Sequence, residues 1–367
     1  MTAPRPFRLE VPDSAIADLR ERLARTRFAD EPPLEPWSTG TSHAYLKELV
    51  RYWMESFDWR AQEAKLNAFR QYRLPIRGFE LHFIHQPARA AKAMPLLLCH
   101  GWPGSVWEFN RLLPLLAQRF TVVAPSLPGF TLSFAPWQPR LGVEEMADLF
   151  AELMQRLGYQ RFGAQGGDWG AFISSRLGHA HPQRLTGIHL NYLPVRRDPA
   201  AAQGDWAKQL AHWTAEESGY ISIQGTKPQT LAYGLTDSPA GLAAWIAEKF
   251  RSWSDCDGVI ENAISRDDLL ANISLYWFSG AIGSSFWPYY SRAHRGWPIP
   301  EGGTVGVPLG YAEFPREILR PPRELAAKTY TDIRRWTAMK KGGHFAALEQ
   351  PDALAREVIQ FFTPLAG

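Results

Sequence analysis

The sequence has little of what several classes of protein depend on. It contains two cysteines, Cys99 and Cys256, which are too few for a disulfide framework and typical of a reduced, cytoplasmic compartment. The longest apolar run, at 94–99, is interrupted by a proline and is far shorter than the roughly 20 residues of a membrane helix. No apolar run follows the arginines of residues 1–8, so we expect neither a signal peptide nor a membrane anchor.

The charge balance excludes a second set of functions. The net charge of the 367 residues is +3, and this small basic excess is dispersed, so we expect no nucleic-acid partner. No group of cysteines and histidines has the spacing of zinc ligands. The apolar fraction of 45% is that of an ordinary globular protein, and the length predicts about two domains.

The order of the predicted elements indicates an α/β fold with two additions. Residues 1–90 hold three helical patterns and then an alternating strand at 77–85, and we interpret them as an N-terminal extension. Buried strand patterns alternate with helices through 91–195 and 299–367, which predicts a mostly parallel sheet with helices on both faces. Residues 196–298 are helix-prone and rich in tryptophan, so we predict a helical lid with an apolar pocket beneath it.

A nucleophile elbow is predicted at Gly166-Gly167-Asp168-Trp169-Gly170, between a strand and a helix. Small residues flank its centre because so tight a turn leaves no room for larger side chains. The centre is Asp168 in place of the usual serine. A carboxylate attacks an electrophilic carbon to form an ester, which suits alkyl transfer. The alternative interpretation is a glycine-rich turn in which Asp168 only caps the next helix.

Two further turns place polar groups at the same edge of the predicted sheet. The turn at 100–105 follows an apolar strand, and it can direct the backbone N–H of Trp102, with that of Trp169, into an oxyanion hole. His344, in the Gly-Gly-His-Phe sequence at 342–345, follows the last predicted strand, where the hydrolase order of nucleophile, acid and histidine requires the base. Taken alone, the first is more simply an ordinary Gly-Pro turn. The alternative for His344 is a surface histidine in a flexible loop, an interpretation that we prefer for most of the other nine histidines.

A histidine base needs a carboxylate that holds its tautomer, and four candidates follow a strand predicted at 304–309. Position favours Glu313 and Glu317, which come soonest after that strand. Glu324 and Asp332 lie further along the chain. The residues by themselves do not choose among the four.

Together these motifs resemble those of epoxide hydrolases of the microsomal and juvenile-hormone type, which are α/β-hydrolases with an N-terminal extension. The resemblance runs from residue 5 to the end of the chain. Besides the three turns, it is carried by residues 6–28, Phe57-Asp58-Trp59-Arg60, residues 217–224, residues 237–242, Tyr276-Trp277 with Ser284-Ser285, and Phe314-Pro315-Arg316-Glu317. The order of these segments makes the resemblance specific.

The resemblance implies a role for each matching residue. Asp168 corresponds to the nucleophile, His344 to the general base and Glu317 to its acid partner, which resolves the choice left open above. It also implies an enzyme without metal or organic cofactor that converts a small hydrophobic epoxide into a vicinal diol. Since no anchor precedes the extension, we expect a cytoplasmic enzyme, and the extension offers a surface for a homodimer.

Two lid tyrosines that hold the epoxide oxygen are also implied. Tyr220, in the segment 217–224, corresponds to the first. Counting from the Tyr-Trp segment puts the second at Tyr289, with Tyr290 as the competitor. The choice stays open because Phe-Trp-Pro at 286–288 stands where polar and basic residues are usual in the family.

Two other functions share part of this pattern. A haloalkane dehalogenase also has an Asp-Trp-Gly elbow and an ester intermediate, but it binds halide with N–H donors in place of two phenols. The segment around Tyr220 and the N-terminal extension argue against it. A hydrolase-fold binding protein would be expected to have lost part of the catalytic set, whereas every member has a candidate in this sequence.

Overall fold

The computed structural model describes residues 3–89, 93–196 and 202–365. The predicted boundary between extension and core, at residues 90 and 91, lies outside the described residues. The strands are β1 Arg5–Phe7, β2 Gln71–Ile76, β3 Phe79–Gln86, β4 Pro95–Cys99, β5 Thr121–Pro125, β6 Phe162–Gly166, β7 Leu185–Leu190, β8 Leu309–Glu313 and β9 Ile333–Ala338. The described ranges join them into one nine-stranded sheet of order β1-β2-β3-β5-β4-β6-β7-β8-β9.

The sheet is mostly parallel, as predicted. Its strands from β5 across to β9 all run in the same direction, and the extension adds β1, β2 and β3 antiparallel at one edge. The sequence analysis missed β1 and β2. Pro75 lies within β2, and a proline in a short polar run argues against a strand from pattern alone.

The strand predicted at 304–309 was wrong in position, because the strand in the structure, β8, begins where that prediction ends. Gly306 and Pro308 interrupt the earlier residues, of which Val305 forms only an isolated bridge with Tyr330 within the described chain. Glu313 is therefore the last residue of the strand, and Glu317 is the candidate that follows it.

Helices surround this sheet and continue into the predicted lid. They are α1 Asp13–Ala24, α2 His43–Glu55, α3 Trp59–Asn67, α4 Leu112–Leu116, α5 Val143–Arg156, α6 Asp168–Ala180, α7 Gly204–His212, α8 Gly219–Thr226, α9 Pro228–Asp237, α10 Pro239–Trp253, α11 Arg266–Ser279, α12 Ile282–Ser285, α13 Trp287–Arg295, α14 Arg323–Ala326, α15 Ala346–Glu349 and α16 Pro351–Phe362. None of the helices in the described ranges is long and apolar enough to cross a membrane.

Two adjacent residues of β7 show that helices cover both faces of the sheet. Ile188 lies against Gly178 of α6, whereas Gly187 lies against Phe361 of α16. Successive residues of a strand face opposite sides of the sheet, so α6 and α16 cover opposite faces. This arrangement confirms the predicted α/β-hydrolase type of layering around a buried parallel sheet.

The extension packs against the helices of the lid region. The indole N–H of Trp53, in α2, donates to the hydroxyl of Ser274 in α11 at 3.1 Å, and the Tyr52 hydroxyl donates to Asp267 at 2.9 Å. Trp53 and Ser274 are buried, so these contacts belong to the hydrophobic core that the extension shares with α11. The extension thereby fixes helices that lie above the carboxyl ends of the parallel strands.

Candidate active site

The predicted elbow is a strained turn between β6 and α6. Asp168 has a φ of +45°, in the left-handed region that a side chain rarely adopts, and such a conformation costs about 1–3 kcal/mol. A Cβ on Gly166 would overlap the backbone of Gly170, and a Cβ on Gly170 would overlap the carbonyl of Cys99. The flanking glycines are therefore required, and the turn projects the Asp168 side chain from the carboxyl end of β6.

The turn after β4 lies directly against this carboxylate. The backbone N–H of Trp102 donates to Asp168 Oδ1 at 2.7 Å, and a Cβ on Gly101 would overlap the Asp168 side chain. The other predicted donor, the N–H of Trp169, belongs to the first turn of α6, where backbone N–H groups have no intrahelical acceptor. Both predicted donors thus flank the elbow.

His344 and Glu317 form a buried pair on the other side of Asp168. Oε1 of Glu317 lies 2.6 Å from Nδ1 of His344, and Nε2 of His344 lies 3.4 Å from Oδ2 of Asp168. The Arg316 N–H donates to the Gly342 carbonyl at 3.1 Å, and this bridge aligns the loop that carries the acid with the loop that carries the histidine. The structure thus brings the three side chains that the sequence predicted as nucleophile, base and acid into one series of contacts.

The two carboxylates determine the charge of His344. Burial lowers the pKa of its imidazole, but the charges of Glu317 and Asp168 and their hydrogen bonds outweigh that effect and raise the pKa well above the ordinary value. These interactions favour the protonated imidazole, which then forms an ion pair with Asp168. Removal of the Asp168 charge would lower that pKa.

The other three candidate acids are engaged elsewhere. Glu313 accepts a hydrogen bond from the Trp336 indole at 2.7 Å, Asp332 pairs with Arg334 at 2.9 Å, and Glu324 is exposed on α14. Of the four carboxylates, all of which the structure describes, Glu317 is the one that contacts His344.

An apolar cavity of about 240 Å³ opens above Asp168. Tyr220, from α8, and Tyr289, from α13, line it together with Asp168, and their ring centroids are 5.7 Å apart. Tyr290 instead stacks on Trp287 and His294, with centroids 5.0 and 4.0 Å apart, and does not line this cavity in the part of the chain described. The rest of the wall is largely aromatic and aliphatic, and includes Trp169, Phe172, Trp213, Ile221 and Ile318.

The hydroxyl of Tyr289 is buried and makes no hydrogen bond of normal distance and angle with the described residues. The indole N–H of Trp169 lies near this hydroxyl, and their weak interaction lowers the pKa of Tyr289 slightly against the larger effects that raise it. Burial, and then the neighbouring Tyr220 and Asp168, raise the pKa of Tyr289 well above its ordinary value. Tyr289 therefore keeps its proton and can donate it to a ligand oxygen.

Sequence reasoning missed one ionisable residue of this site. Glu108 lies beside Asp168 and His344, and burial is the main reason why its pKa is raised to about 8. The one signal in the sequence was a charge between Trp107 and Phe109, two residues that are buried. As for metals, the described chain holds no group of three His, Cys, Asp or Glu side chains that could bind an ion.

Two family descriptions match overlapping parts of the chain. Residues 4–109 match the family described as "Epoxide hydrolase N terminus". Residues 94–218 match the family described as "alpha/beta hydrolase fold", a range that holds the elbow and the turn after β4.

Relatives and solved structures extend these matches to nearly the whole chain. The chain is 36% identical to "Epoxide hydrolase 1" of Oryctolagus cuniculus, over 97% of this chain and 88% of that relative. The crystal structure of the juvenile hormone epoxide hydrolase of the silkworm Bombyx mori superimposes with a TM-score of 0.91 at 31% identity, covering 100% of this chain and 95% of that one. The epoxide hydrolase of Aspergillus niger superimposes with a TM-score of 0.87 at 28% identity, covering 99% and 97%.

Proposed function

Because this chain belongs to the epoxide hydrolase family, whose members are hydrolases of the α/β-hydrolase fold, we propose that it converts a hydrophobic epoxide into a vicinal diol through an ester on Asp168. One observation carries the proposal. A carboxylate on a strained elbow faces two tyrosines across an apolar cavity, and an imidazole lies 3.4 Å behind it. This arrangement supplies a nucleophile, an acid and a base for one ring opening and one hydrolysis.

In the first step Asp168 attacks a carbon of the epoxide ring. Its Oδ1 is held by the Trp102 N–H at 2.7 Å, whereas Oδ2 has the longer 3.4 Å contact with His344, so Oδ2 forms the new bond to carbon. The C–O bond of the ring breaks, and the electron pair goes to the epoxide oxygen. Tyr220 and Tyr289 hydrogen-bond that oxygen, and one of them transfers its proton to it. The product is a hydroxyalkyl ester and a tyrosinate.

In the second step water hydrolyses this ester. Esterification removes the charge of Asp168, and the pKa of His344 falls because one of the two carboxylates that raised it is gone. The imidazole then releases its proton to solvent, and a proton from solvent restores the tyrosine. The neutral imidazole, oriented by Glu317, accepts a proton from water as the water oxygen bonds to the ester carbon. The N–H groups of Trp102 and Trp169 stabilise the oxyanion. The diol leaves with a proton from the imidazole, and the carboxyl group recovered by Asp168 passes its proton to the imidazole, which restores the starting ion pair.

The cavity indicates the class of substrate. Its volume of about 240 Å³ and its largely aromatic wall suit a small apolar epoxide, with the polar groups gathered at the reacting end. Asp168, Tyr220 and Tyr289 flank the point where the strained ring would lie, and Tyr192 and Arg292 are further polar residues of the lining.

A single turnover in oxygen-18 water tests the proposal. With enzyme in excess over an aromatic epoxide, the diol of the first turnover should carry unlabelled oxygen from Asp168. Label should then appear in the Asp168 peptide, which mass spectrometry after proteolysis detects. Label in the first-turnover diol would contradict the ester and would mean that water attacks the epoxide directly.

A further inference from the structure

A second cavity lies behind the proposed nucleophile. It measures about 20 Å³, which is enough for one water molecule. Glu108, His344 and the turn at Gly101 line it, whereas none of these lines the apolar cavity. Within the described residues the two cavities have Asp168 alone in common. The imidazole therefore meets a water-sized space on one side of Asp168, and the apolar cavity lies on the other.

The carboxyl group of Glu108 faces this small cavity without a protein partner. The side chain is partly buried, and it is one of the residues that line the cavity. No residue in the described ranges hydrogen-bonds to either of its oxygens. A buried polar group is normally paired with protein or with an ordered water. A water in the small cavity would supply the missing partner.

The turn after β4 is shaped around this carboxyl group. A Cβ on Gly104 would overlap Oε1 of Glu108, just as a Cβ on Gly101 would overlap the Asp168 side chain. The two glycines of one turn thus leave room for two carboxyl groups that line one cavity.

Glu349 is a buried glutamate with a structural role, and its hydrogen bonds distinguish it from Glu108. Glu349 accepts three backbone N–H groups, from Asp255 at 2.8 Å and from Gly343 and Phe345 at 2.9 Å. Those bonds hold the loop that carries His344. Glu108 makes no comparable contact in the described structure, so its burial beside the reacting groups is not explained by support of the fold.

We propose that Glu108 binds the hydrolytic water in the small cavity and orients it toward the ester carbonyl of Asp168. The inference rests on the proposed ester mechanism and adds a second residue that touches the reacting water. The water donates one hydrogen to His344 and the other to Glu108, so its lone pair points at the ester carbon. The bond from water oxygen to carbon forms as His344 takes the first proton, and the second stays on the carboxyl group that Asp168 recovers until the imidazole, once it has protonated the diol, accepts it.

The charges around Glu108 suit this task. Its pKa is raised to about 8, mainly by burial; the charge of His344 opposes this rise and the charge of Asp168 adds to it. The neutral carboxyl group offers a carbonyl acceptor to water without placing a second full charge beside Asp168. The hydroxyl of Tyr276 donates to the Gly104 carbonyl at 2.6 Å. Tyr276 is also close enough to Glu108 to interact with it electrostatically.

Rapid-quench mass spectrometry of an aromatic epoxide turnover tests the inference, because it measures ester formation and ester hydrolysis separately. Glu108→Leu removes the acceptor at similar volume and should slow hydrolysis by about ten- to a hundredfold, while ester formation stays within about twofold of wild type. Glu108→Gln keeps an amide acceptor and should slow hydrolysis only about threefold. Glu63→Gln is the matched control, since Glu63 is buried in the extension and accepts the Val11 N–H at 2.7 Å. It should change neither step.

A second pair of variants tests the position of the Glu108 carboxyl group without replacing Glu108. Gly104→Ala would place a Cβ on the position of Glu108 Oε1 and displace it, so hydrolysis should slow as in Glu108→Leu. Gly234→Ala, on α9 with open space around it, is the control and should leave both steps unchanged.

Each outcome is decisive. An ester that accumulates in Glu108→Leu or Gly104→Ala supports the inference. Wild-type hydrolysis in both variants, or equal slowing of both steps, would overturn it while leaving the proposed function intact. Failure of the wild-type enzyme to form any ester would overturn the proposed function and this inference with it.

Discussion

Replacement of Tyr289 by phenylalanine should make the protein more stable and less active. The Tyr289 hydroxyl is buried, and it makes no hydrogen bond of normal distance and angle with the described residues. A buried, unsatisfied hydroxyl costs about 1–3 kcal/mol, and its removal leaves a gap of a single oxygen atom. We therefore expect the free energy of unfolding to rise by about 1 kcal/mol. The same hydroxyl is one of two proposed donors to the epoxide oxygen, so ester formation should slow by about ten- to a hundredfold.

Two assays measure these effects on one preparation. Urea denaturation gives the change in stability from the shift of the midpoint at constant slope. Rapid mixing with an aromatic epoxide gives the rate of ester formation. Tyr330→Phe is the matched control, because the buried Tyr330 hydroxyl is paired with Ser175 at 2.8 Å and donates to the Pro194 carbonyl at 3.0 Å. This control should lose about 1 kcal/mol of stability and keep its rate.

Opposite results would refute this reasoning. If Tyr289→Phe lowers stability and leaves the rate unchanged, the hydroxyl has a structural role and no place in the mechanism. Tyr290→Phe adds a check on the register of the two neighbouring tyrosines. Because Tyr290 stacks on His294 outside the apolar cavity, its replacement should change neither quantity by a measurable amount.

Three further predictions concern the order of the two steps. His344→Gln should leave ester formation nearly intact and block hydrolysis, so that intact-protein mass spectrometry finds Asp168 modified; the absence of an adduct would count against the base. Tyr220→Phe should keep partial activity and the double variant with Tyr289→Phe should lose far more, which initial rates of diol release measure; a double variant near the wild-type rate would remove both phenols from the mechanism. Hydrolysis requires a neutral His344, and the Asp168 charge helps to raise the pKa of His344. In the ester that charge is gone. As the pH falls through the pKa that His344 has in the ester, hydrolysis should stop while ester formation continues. Quenching across a pH series should show the ester accumulating at acid pH. Parallel pH profiles for both steps would contradict the assignment of the pH dependence to His344.

Local geometry explains which parts of the site could be predicted from sequence. The elbow around Asp168 is predictable because the turn excludes larger side chains from its flanking positions, and glycines at those positions are visible in one chain. The position of His344 follows from the order of strands and loops in a parallel sheet. The role of Glu317 was harder to predict, because its pairing with His344 depends on a bridge between two loops, and no local sequence pattern indicates that bridge.

Tertiary contacts explain what could not be predicted. The strand at β8 was placed too early because Val305 and Val307 have the composition of a strand, whereas Gly306 and Pro308 prevent a continuous ladder. Glu108 was missed because a single charge in an apolar segment usually lies at the surface. Its place beside Asp168 depends on the turn after β4, which brings Gly104 against its carboxyl group.

The division between the two cavities gives the proposed mechanism its order. Asp168 lies between an apolar space that Tyr220 and Tyr289 line and a water-sized space that His344 and Glu108 line. An epoxide in the first space meets a carboxylate before it meets water. The water in the second space meets no electrophile until the carboxylate has become an ester, and at that moment the loss of charge makes the imidazole a base. The position of one side chain would thus separate two nucleophiles that compete for the same carbon.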